Sequence, residues 1–354
     1  MSAPIKIALL RLSSLGDVIV GACVLPALRA HLEQKYPQGV HLSWIVDSAF
    51  GAVLEDSPCI DKLIYIDLKK GGLRAVPRIM ALLRSLGCYH KLIDMQGLVK
   101  SALCGAMICK DEFWGFARDS IKEPLGSVCY THKVHIPYKE HILKRNFALI
   151  NTAFEIGEYD EKGFYANRAK AFGVSAKSQI QVEGVLKQAF GSAQDNKETL
   201  LLVLEASLES KSYPVDLFVQ VITQLLDSRS NAQILLLQHS SNKAWRIKEH
   251  FSTQDRVFVL PILSMDCLKA LMQRVHLVIG GDTGVTHLAW AMQRASLTLY
   301  GNTAPERFAL NSPYNQFLCG SEKPSYQKSD FSISNITPEA ICMSANTLLD
   351  SIRG

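Results

Sequence analysis

The chain reads as an α/β protein in two successive halves, each a parallel sheet wound on both faces by helices. Three observations predict this. Short β-rich runs alternate with longer amphipathic ones from the N-terminus onward. Several short runs, such as Ile7-Ala8-Leu9-Leu10, are apolar without interruption, as strands covered on both faces require. The alternation fades between 157 and 178, where Gly, Lys, Asp and Ser dominate, and then starts again.

In the first half, 5–10, 41–46, 62–66, 91–94, 112–116 and 133–136 carry the strand pattern. Helical spacing falls at 17–35, 73–86, 99–109 and 140–156. In the second half the strands are 199–204, 232–238, 257–260, 277–279 and 296–300, with helices at 214–226, 242–250, 264–274 and 285–292. Pro214 suits a first helical turn, where a missing N–H costs nothing. Pro338 opens a last helix to about 352 behind Thr337 as N-cap. The expected organisation is a first domain at 1–170, a second at 171–330 and a helical segment at 331–354. No repeat is visible at the level of residues.

The bulk numbers agree. A length of 354 residues exceeds what one core usually supports, which favours two domains. With 48% hydrophobic and 20% charged residues the chain is a globular type, not a disordered one. Its longest unbroken apolar runs are too short to span a bilayer. Met1-Ser2-Ala3-Pro4 leads into a strand without a basic-then-apolar signal pattern, so export is not expected. The nine cysteines show no CxxC pair and no zinc spacing, and the expectation is reduced cysteines in apolar stretches such as those of Cys23, Cys104 and Cys319. The net charge of +5 is mild but uneven. Lys69, Lys70, Arg74, Arg78 and Arg84 lie close together, with Lys91 and Lys100 following. They make either a solvated helix face or a surface for an anionic substrate or membrane headgroups. No aromatic-interleaved basic stripe accompanies them, so nucleic acid is not an expected partner.

Ligands of doubly wound sheets bind beyond the carboxyl ends of the strands, and the candidate residues stand there. Arg11-Leu12-Ser13-Ser14-Leu15-Gly16-Asp17 follows the first strand. Asp17 is either a first-turn acid favoured by the helix dipole or a general base. The loop lacks G-x-G-x-x-G, which argues against a conventional dinucleotide site or an NAD-dependent dehydrogenase. Gln96 follows another buried strand and faces the same side.

In the second half Gly280-Gly281-Asp282-Thr283-Gly284-Val285-Thr286-His287 joins a strand to a helix. Glycines admit close backbone approach, and a helix start offers free N–H groups to an anion, as binding a diphosphate without a metal requires. The plain alternative is a tight turn capped by Asp282 or Thr283. A single D-T-G outside an all-β context is not an aspartic protease. Ser207 and Lys211 occupy the loop after 199–204, where Lys211 is either a surface lysine or the cation that neutralises a leaving phosphate.

Taken together, Arg11-Leu12-Ser13-Ser14-Leu15-Gly16-Asp17-Val18, Asp94-Met95-Gln96-Gly97-Leu98-Val99-Lys100-Ser101-Ala102, Lys122-Glu123-Pro124-Leu125-Gly126-Ser127, Asp282-Thr283-Gly284-Val285-Thr286-His287-Leu288 and Leu299-Tyr300-Gly301-Asn302-Thr303 resemble the heptosyltransferases of lipopolysaccharide inner-core synthesis. These form family 9 of the GT-B glycosyltransferases, and the likeness is stronger to the branch that acts on Kdo-lipid A. The resemblance runs in order over nearly the whole chain. It implies GT-B architecture, two Rossmann-like domains facing a central cleft. It implies inverting transfer of heptose from ADP-L-glycero-D-manno-heptose to the Kdo of Kdo-lipid A. Asp17 would be the base, and Lys211 would stabilise the departing ADP. Ser207, Asp282, Thr283, Gly284, Thr286 and His287 would line the donor site. Ser14, Gly16, Lys69, Lys70, Arg74, Gln96 and Lys122 are the acceptor candidates.

No cofactor or metal is expected, since no D-x-D motif is present to hold a metal at a diphosphate. The protein is expected in the cytoplasm, peripherally attached to the inner membrane. This chain carries Glu205 where the family has His or Thr. The stretch His239-Ser240-Ser241-Asn242-Lys243 holds no acid where the family has a ribose-binding one. A family 9 transferase for another nucleotide sugar or acceptor is one alternative, and a non-catalytic binding protein of the same shape is another.

Overall fold

The computed structural model describes residues 3–157, 161–191 and 197–353. The chain divides into two compact units, Met1–Gly173 and Val174–Gly354.

The first unit holds a six-stranded sheet made of β1 (Ile5–Leu10), β2 (Val40–Asp47), β3 (Lys62–Ile66), β4 (Cys88–Asp94), β5 (Cys109–Phe116) and β6 (His132–Val134). Its spatial order is β3-β2-β1-β4-β5-β6, and every pairing is parallel. Ile7, Ala8, Leu9 and Leu10 are all fully buried, because helices cover both faces of a central strand. The second unit repeats this plan with β7 (Glu198–Val203), β8 (Ala232–Leu237), β9 (Val257–Val259), β10 (Leu277–Gly281), β11 (Ala295–Tyr300) and β12 (Asn315–Cys319). The order is β12-β11-β10-β7-β8-β9, again all parallel. The helix Val215–Ser228 buries Phe218, Val221, Ile222 and Leu225, a spacing of three and four residues that forms one stripe against the sheet. Burying each such side chain contributes about 1.5–3 kcal/mol.

In both sheets the order in which strands are added therefore reverses at the middle. The chain leaves the first strand of each unit to one side, then returns to lay the fourth against its other edge. At that switch point neighbouring loops diverge and leave a crevice past the strand ends. It lies between β1 and β4 in one unit and between β7 and β10 in the other.

Several expectations are corrected. The helix read at 17–35 is two helices, Leu15–Ala22 and Leu25–Lys35. Pro26 in the first turn of the second has no N–H to give to the preceding turn, so one helix cannot run through. The combined stretch is long and apolar enough to cross a bilayer, but Val18, Ile19, Val20, Leu25, Leu28 and Leu32 are buried in the fold.

Of the 157–178 stretch, 158–160 lie outside the described residues, and the part from 164 to 172 is not a free linker. Phe164, Tyr165, Ala171 and Phe172 are buried in the first unit, and the Tyr165 hydroxyl donates to the Leu143 carbonyl at 2.9 Å. The helix Ala176–Phe190 and the edge strand β12 have no counterpart in the sequence reading. Pro214 is an N-cap, one residue before the helix. Thr337 caps the last helix, Pro338–Arg353, accepting from Ala340 N–H at 3.3 Å.

Nor are all cysteines reduced. Cys88 and Cys109 stand opposite each other on β4 and β5 and form a disulfide. Cys319 is exposed instead of buried.

Candidate active site

At the β1/β4 switch point Asp17 sits in the first turn of the helix Leu15–Ala22. Its Oδ1 is 2.8 Å from Arg11 Nη2, and its Oδ2 accepts from Ser14 N–H at 3.1 Å and Ser14 Oγ at 2.9 Å. Arg11 is almost wholly buried, whereas the Asp17 side chain keeps 35% of its surface. Burial acts to raise the Asp17 carboxyl. The Arg11 charge and the Ser14 hydrogen bonds outweigh it, and the group is held below the ordinary carboxylate value. Asp17 is thus an ionised carboxylate with a face open to solvent.

Gln96 braces the same loop from β4. Its Oε1 accepts from Leu12 N–H at 2.8 Å, and its Nε2 donates to Ser13 Oγ at 3.1 Å. Lys100 Nζ also reaches Ser13 Oγ, at 3.2 Å. Beneath them Asp94 is fully buried and accepts from Gln96 and Gly97 N–H, Ser101 Oγ and Tyr130 OH. Burial still pushes its carboxyl up, against those bonds. Asp94 is a brace for the loop and takes no exposed role.

The β7/β10 switch point gathers Lys211, Asp282, His287 and Thr303. Lys211 closes a 3₁₀ turn, Glu209–Lys211, after β7, and its Nζ lies 2.5 Å from Asp282 Oδ2. His287 Nε2 donates to Asp282 Oδ1 at 3.0 Å, since a carboxylate only accepts, and Thr303 Oγ1 donates to Oδ2 at 3.1 Å. Burial would raise the Asp282 carboxyl, but His287 and Lys211 drive it well below its usual range. The buried Tyr300 phenol is pushed up by burial and by the Asp282 charge.

Thr283 caps the helix Gly284–Ala291, accepting from Thr286 N–H, while Thr286 Oγ1 donates to Gly281 O at 2.9 Å. At such a helix start the N–H groups of Gly284 and Val285 have no intrahelical acceptor. Gly281 is required for contact: a Cβ there would lie 2.0 Å from the Lys211 carbonyl oxygen. This is how two loops separated in sequence come to share one site.

The family profile described as Glycosyltransferase family 9 (heptosyltransferase) matches residues 79–340. The chain belongs to glycosyltransferase family 9. Lipopolysaccharide heptosyltransferase 1 of Campylobacter coli is 30% identical to it, over 95% of this chain and 96% of the relative. The protein of the same name from Escherichia coli (strain K12) is 26% identical, over 89% and 93%. Among solved structures, E. coli heptosyltransferase WaaC with ADP matches at a TM-score of 0.75 and 21% identity, covering 97% of this chain and 99% of that one. A family 9 glycosyltransferase from Veillonella parvula matches at 0.77 and 18%, over 99% of both. At these identities the structures establish the fold, two Rossmann-like sheets of the GT-B kind. As a family 9 member the protein is a glycosyltransferase, so the non-catalytic alternative falls away.

The remaining candidates of this glycosyltransferase also stand at carboxyl strand ends. Ser14 is exposed and Gly16 half-buried beside Asp17. Lys69, Lys70 and Arg74 are exposed after β3, with Lys69 Nζ 4.6 Å from the centre of the Phe50 ring. Lys122 is exposed after β5, and Ser207 is exposed on the β7 loop. Lys91 does not join the basic surface: its Nζ pairs with Glu112 at 2.9 Å. Arg11 and Thr303, absent from the sequence-derived site list, each contact one of its carboxylates. Both lie within motifs noted in the sequence, Arg11 at the start of 11–18 and Thr303 at the end of 299–303. Among the described residues no group of three or more His, Cys, Asp or Glu side chains is arranged to hold a metal ion.

Proposed function

We propose that this protein transfers L-glycero-D-manno-heptose from ADP-L-glycero-D-manno-heptose to Kdo of Kdo-lipid A, with inversion, in lipopolysaccharide inner-core synthesis. The observation that carries the reading is the Lys211–Asp282–His287 cluster beside the Thr283-capped helix start. A cation, free N–H groups and hydroxyls concentrated there suit a sugar diphosphate. The relatives' names supply the heptosyl reading, and the E. coli structures with ADP and with ADP-2-deoxy-2-fluoro heptose supply the nucleotide.

In the proposed step the acceptor hydroxyl oxygen attacks the anomeric carbon while the bond to the β-phosphate oxygen breaks. Asp17 takes the hydroxyl proton. Being held ionised by Arg11 and Ser14, it is a weak base and acts late, once the attacking oxygen has become acidic. Lys211 and the N–H groups near Thr283 and Gly284 take the charge that grows on the departing ADP, each such donor being worth a few kcal/mol. For this Lys211 turns from Asp282 toward the diphosphate, and Asp282 is left to hold sugar hydroxyls. Thr286, His287 and Ser207 complete the donor site. Ser14, Gly16 and Gln96 shape the acceptor side, where Lys69, Lys70, Arg74 and Lys122 meet the Kdo carboxylate and lipid A phosphates. No metal takes part, so EDTA leaves the rate unchanged. The protein works in the cytoplasm, held peripherally at the inner membrane by charge and by its lipid acceptor, so salt releases it.

A transfer assay with ADP-heptose and Kdo-lipid A tests this, run on the unaltered protein and on Asp17→Asn. Transfer by the first and a loss of about 10²–10⁴-fold in the second, with ADP binding kept, is the expected result. No product from the unaltered protein would turn the reading to a different nucleotide sugar or acceptor. That second reading is favoured by one observation: the His239–Lys243 stretch beyond β8 has no acid of its own to bind ribose.

A further inference from the structure

Glu205 is an anomaly on the reading just given, since it sets a carboxylate close to where a diphosphate binds. Its contacts resolve this. Oε1 accepts from His239 N–H at 3.0 Å and Ser240 N–H at 3.2 Å. Oε2 accepts from Ser240 N–H at 3.0 Å, Ser241 N–H at 3.0 Å and Ser240 Oγ at 2.8 Å. Three consecutive backbone N–H groups converging on one point form a cup for an anion. Here the anion is a side chain from the neighbouring loop. A second tie runs beside it, from Lys243 Nζ to Glu209 Oε1 at 2.6 Å, within the turn that ends in Lys211.

The place is informative. In a doubly wound unit the end of the second strand, here β8, is where an acid reads the nucleoside ribose. Glu205 brings a carboxylate there from the end of the first strand instead. It does not read the ribose itself. A carboxylate offers roughly four lone-pair sites, and four donor groups, three N–H and one O–H, already occupy them.

We infer that Glu205 is a positioning and specificity residue of the donor pocket: its carboxylate fills the N–H cup after β8, sets the 239–241 backbone beside the nucleoside, and reserves that place for an uncharged ribose. The Ser240 hydroxyl, which gives its proton to Glu205, keeps lone pairs for a ribose hydroxyl. A phosphorylated ribose finds the cup filled and meets a fixed negative charge. Burial acts to raise the carboxyl, but those same bonds together outweigh it and hold the group at about 2, so the charge persists at any working pH. The inference rests on the donor being an adenosine diphosphate sugar.

The test is calorimetric binding of ADP and of ADP carrying a 2′-phosphate to the unaltered protein, Glu205→Gln and Glu205→Asp. Amide hydrogen exchange at 239–241 is measured without nucleotide. The unaltered protein should prefer ADP by roughly tenfold or more. Glu205→Gln should bind ADP roughly tenfold more weakly, lose most of the preference and exchange the 239–241 amides faster. Glu205→Asp, which keeps the charge, should keep the preference. Unchanged affinities and preference in Glu205→Gln would overturn the inference. So would fast exchange of those amides in the unaltered protein, a result that does not depend on any variant folding. Failure of the unaltered protein to bind ADP would sink the donor reading instead, and the exchange measurement would still decide the role of Glu205.

Discussion

Replacing Gly281 by Ala tests the proposal that the β10 strand end positions Lys211 for the departing diphosphate. The added Cβ would stand 2.0 Å from the Lys211 carbonyl oxygen and 3.2 Å from its carbonyl carbon. An ordinary carbon–oxygen contact is about 3.3 Å, so the Glu209–Lys211 turn must withdraw by roughly 1.3 Å. Neither side yields easily: Gly281 is hydrogen-bonded into the sheet through β11, and the obstacle is backbone, not the end of a flexible side chain. Overpacking of this kind costs about 1–3 kcal/mol. At about 2–4 °C per kcal/mol the melting point should fall by roughly 2–12 °C. If Lys211 acts as proposed, its displacement by about 1 Å costs on the order of 10² in rate. The assay is steady-state transfer with ADP-heptose and Kdo-lipid A, alongside a thermal melt and ADP calorimetry. Gly184→Ala is the control, because Gly184 is exposed in the helix Ala176–Phe190 with nothing within 4 Å of an added Cβ. It should keep full activity and gain about 0.5–1 kcal/mol. A Gly281→Ala protein with normal rate and normal melting would refute the argument that close backbone approach at this glycine sets Lys211.

Lys211→Met keeps the length of the side chain and removes its charge; kcat should fall about 10²–10³-fold, and an unchanged kcat would end its role at the leaving group. Asp282→Asn should cost about 2–3 kcal/mol at pH 7, since it strips a nearly buried carboxylate from Lys211 and His287, a loss moderated by the partial exposure of Lys211. The Asp282 carboxyl is depressed in the folded chain, so its stabilisation is complete above the unfolded value and fades as pH falls through the folded one. Urea midpoints of the two proteins should therefore differ most above about pH 5 and converge below about pH 4; a difference constant from pH 7 to 3 would contradict the pairing.

Much of the site was legible because the motifs are local. Asp17 and Ser14 are three residues apart, as are Thr283 and Thr286, and each pair bonds within its own turn. Pro26 already marked the helix break that the 17–35 reading overlooked. The helix Ala176–Phe190 has no clear apolar stripe, because it buries only Ser178, Val182 and Leu186 and is otherwise as polar as the stretch before it. The edge strand β12 sets its apolar residues, Phe317, Leu318 and Cys319, side by side without the alternation that marks a half-covered strand.

By itself the sequence determined the α/β class, the two-fold repetition of the plan and the strand ends where chemistry collects. Buried parallel strands need unbroken apolar runs, and strand-to-helix turns need their glycines and caps nearby, so both leave short-range marks. Only the tertiary structure decided which groups share a charge. Lys211 meets Asp282 across 71 residues, Glu205 meets the 239–241 backbone across 34 to 36, and Lys91 is turned from the basic surface to Glu112. Hydrogen bonds and ion pairs act over about 3 Å, and strand order, not separation along the chain, sets which loops come that close.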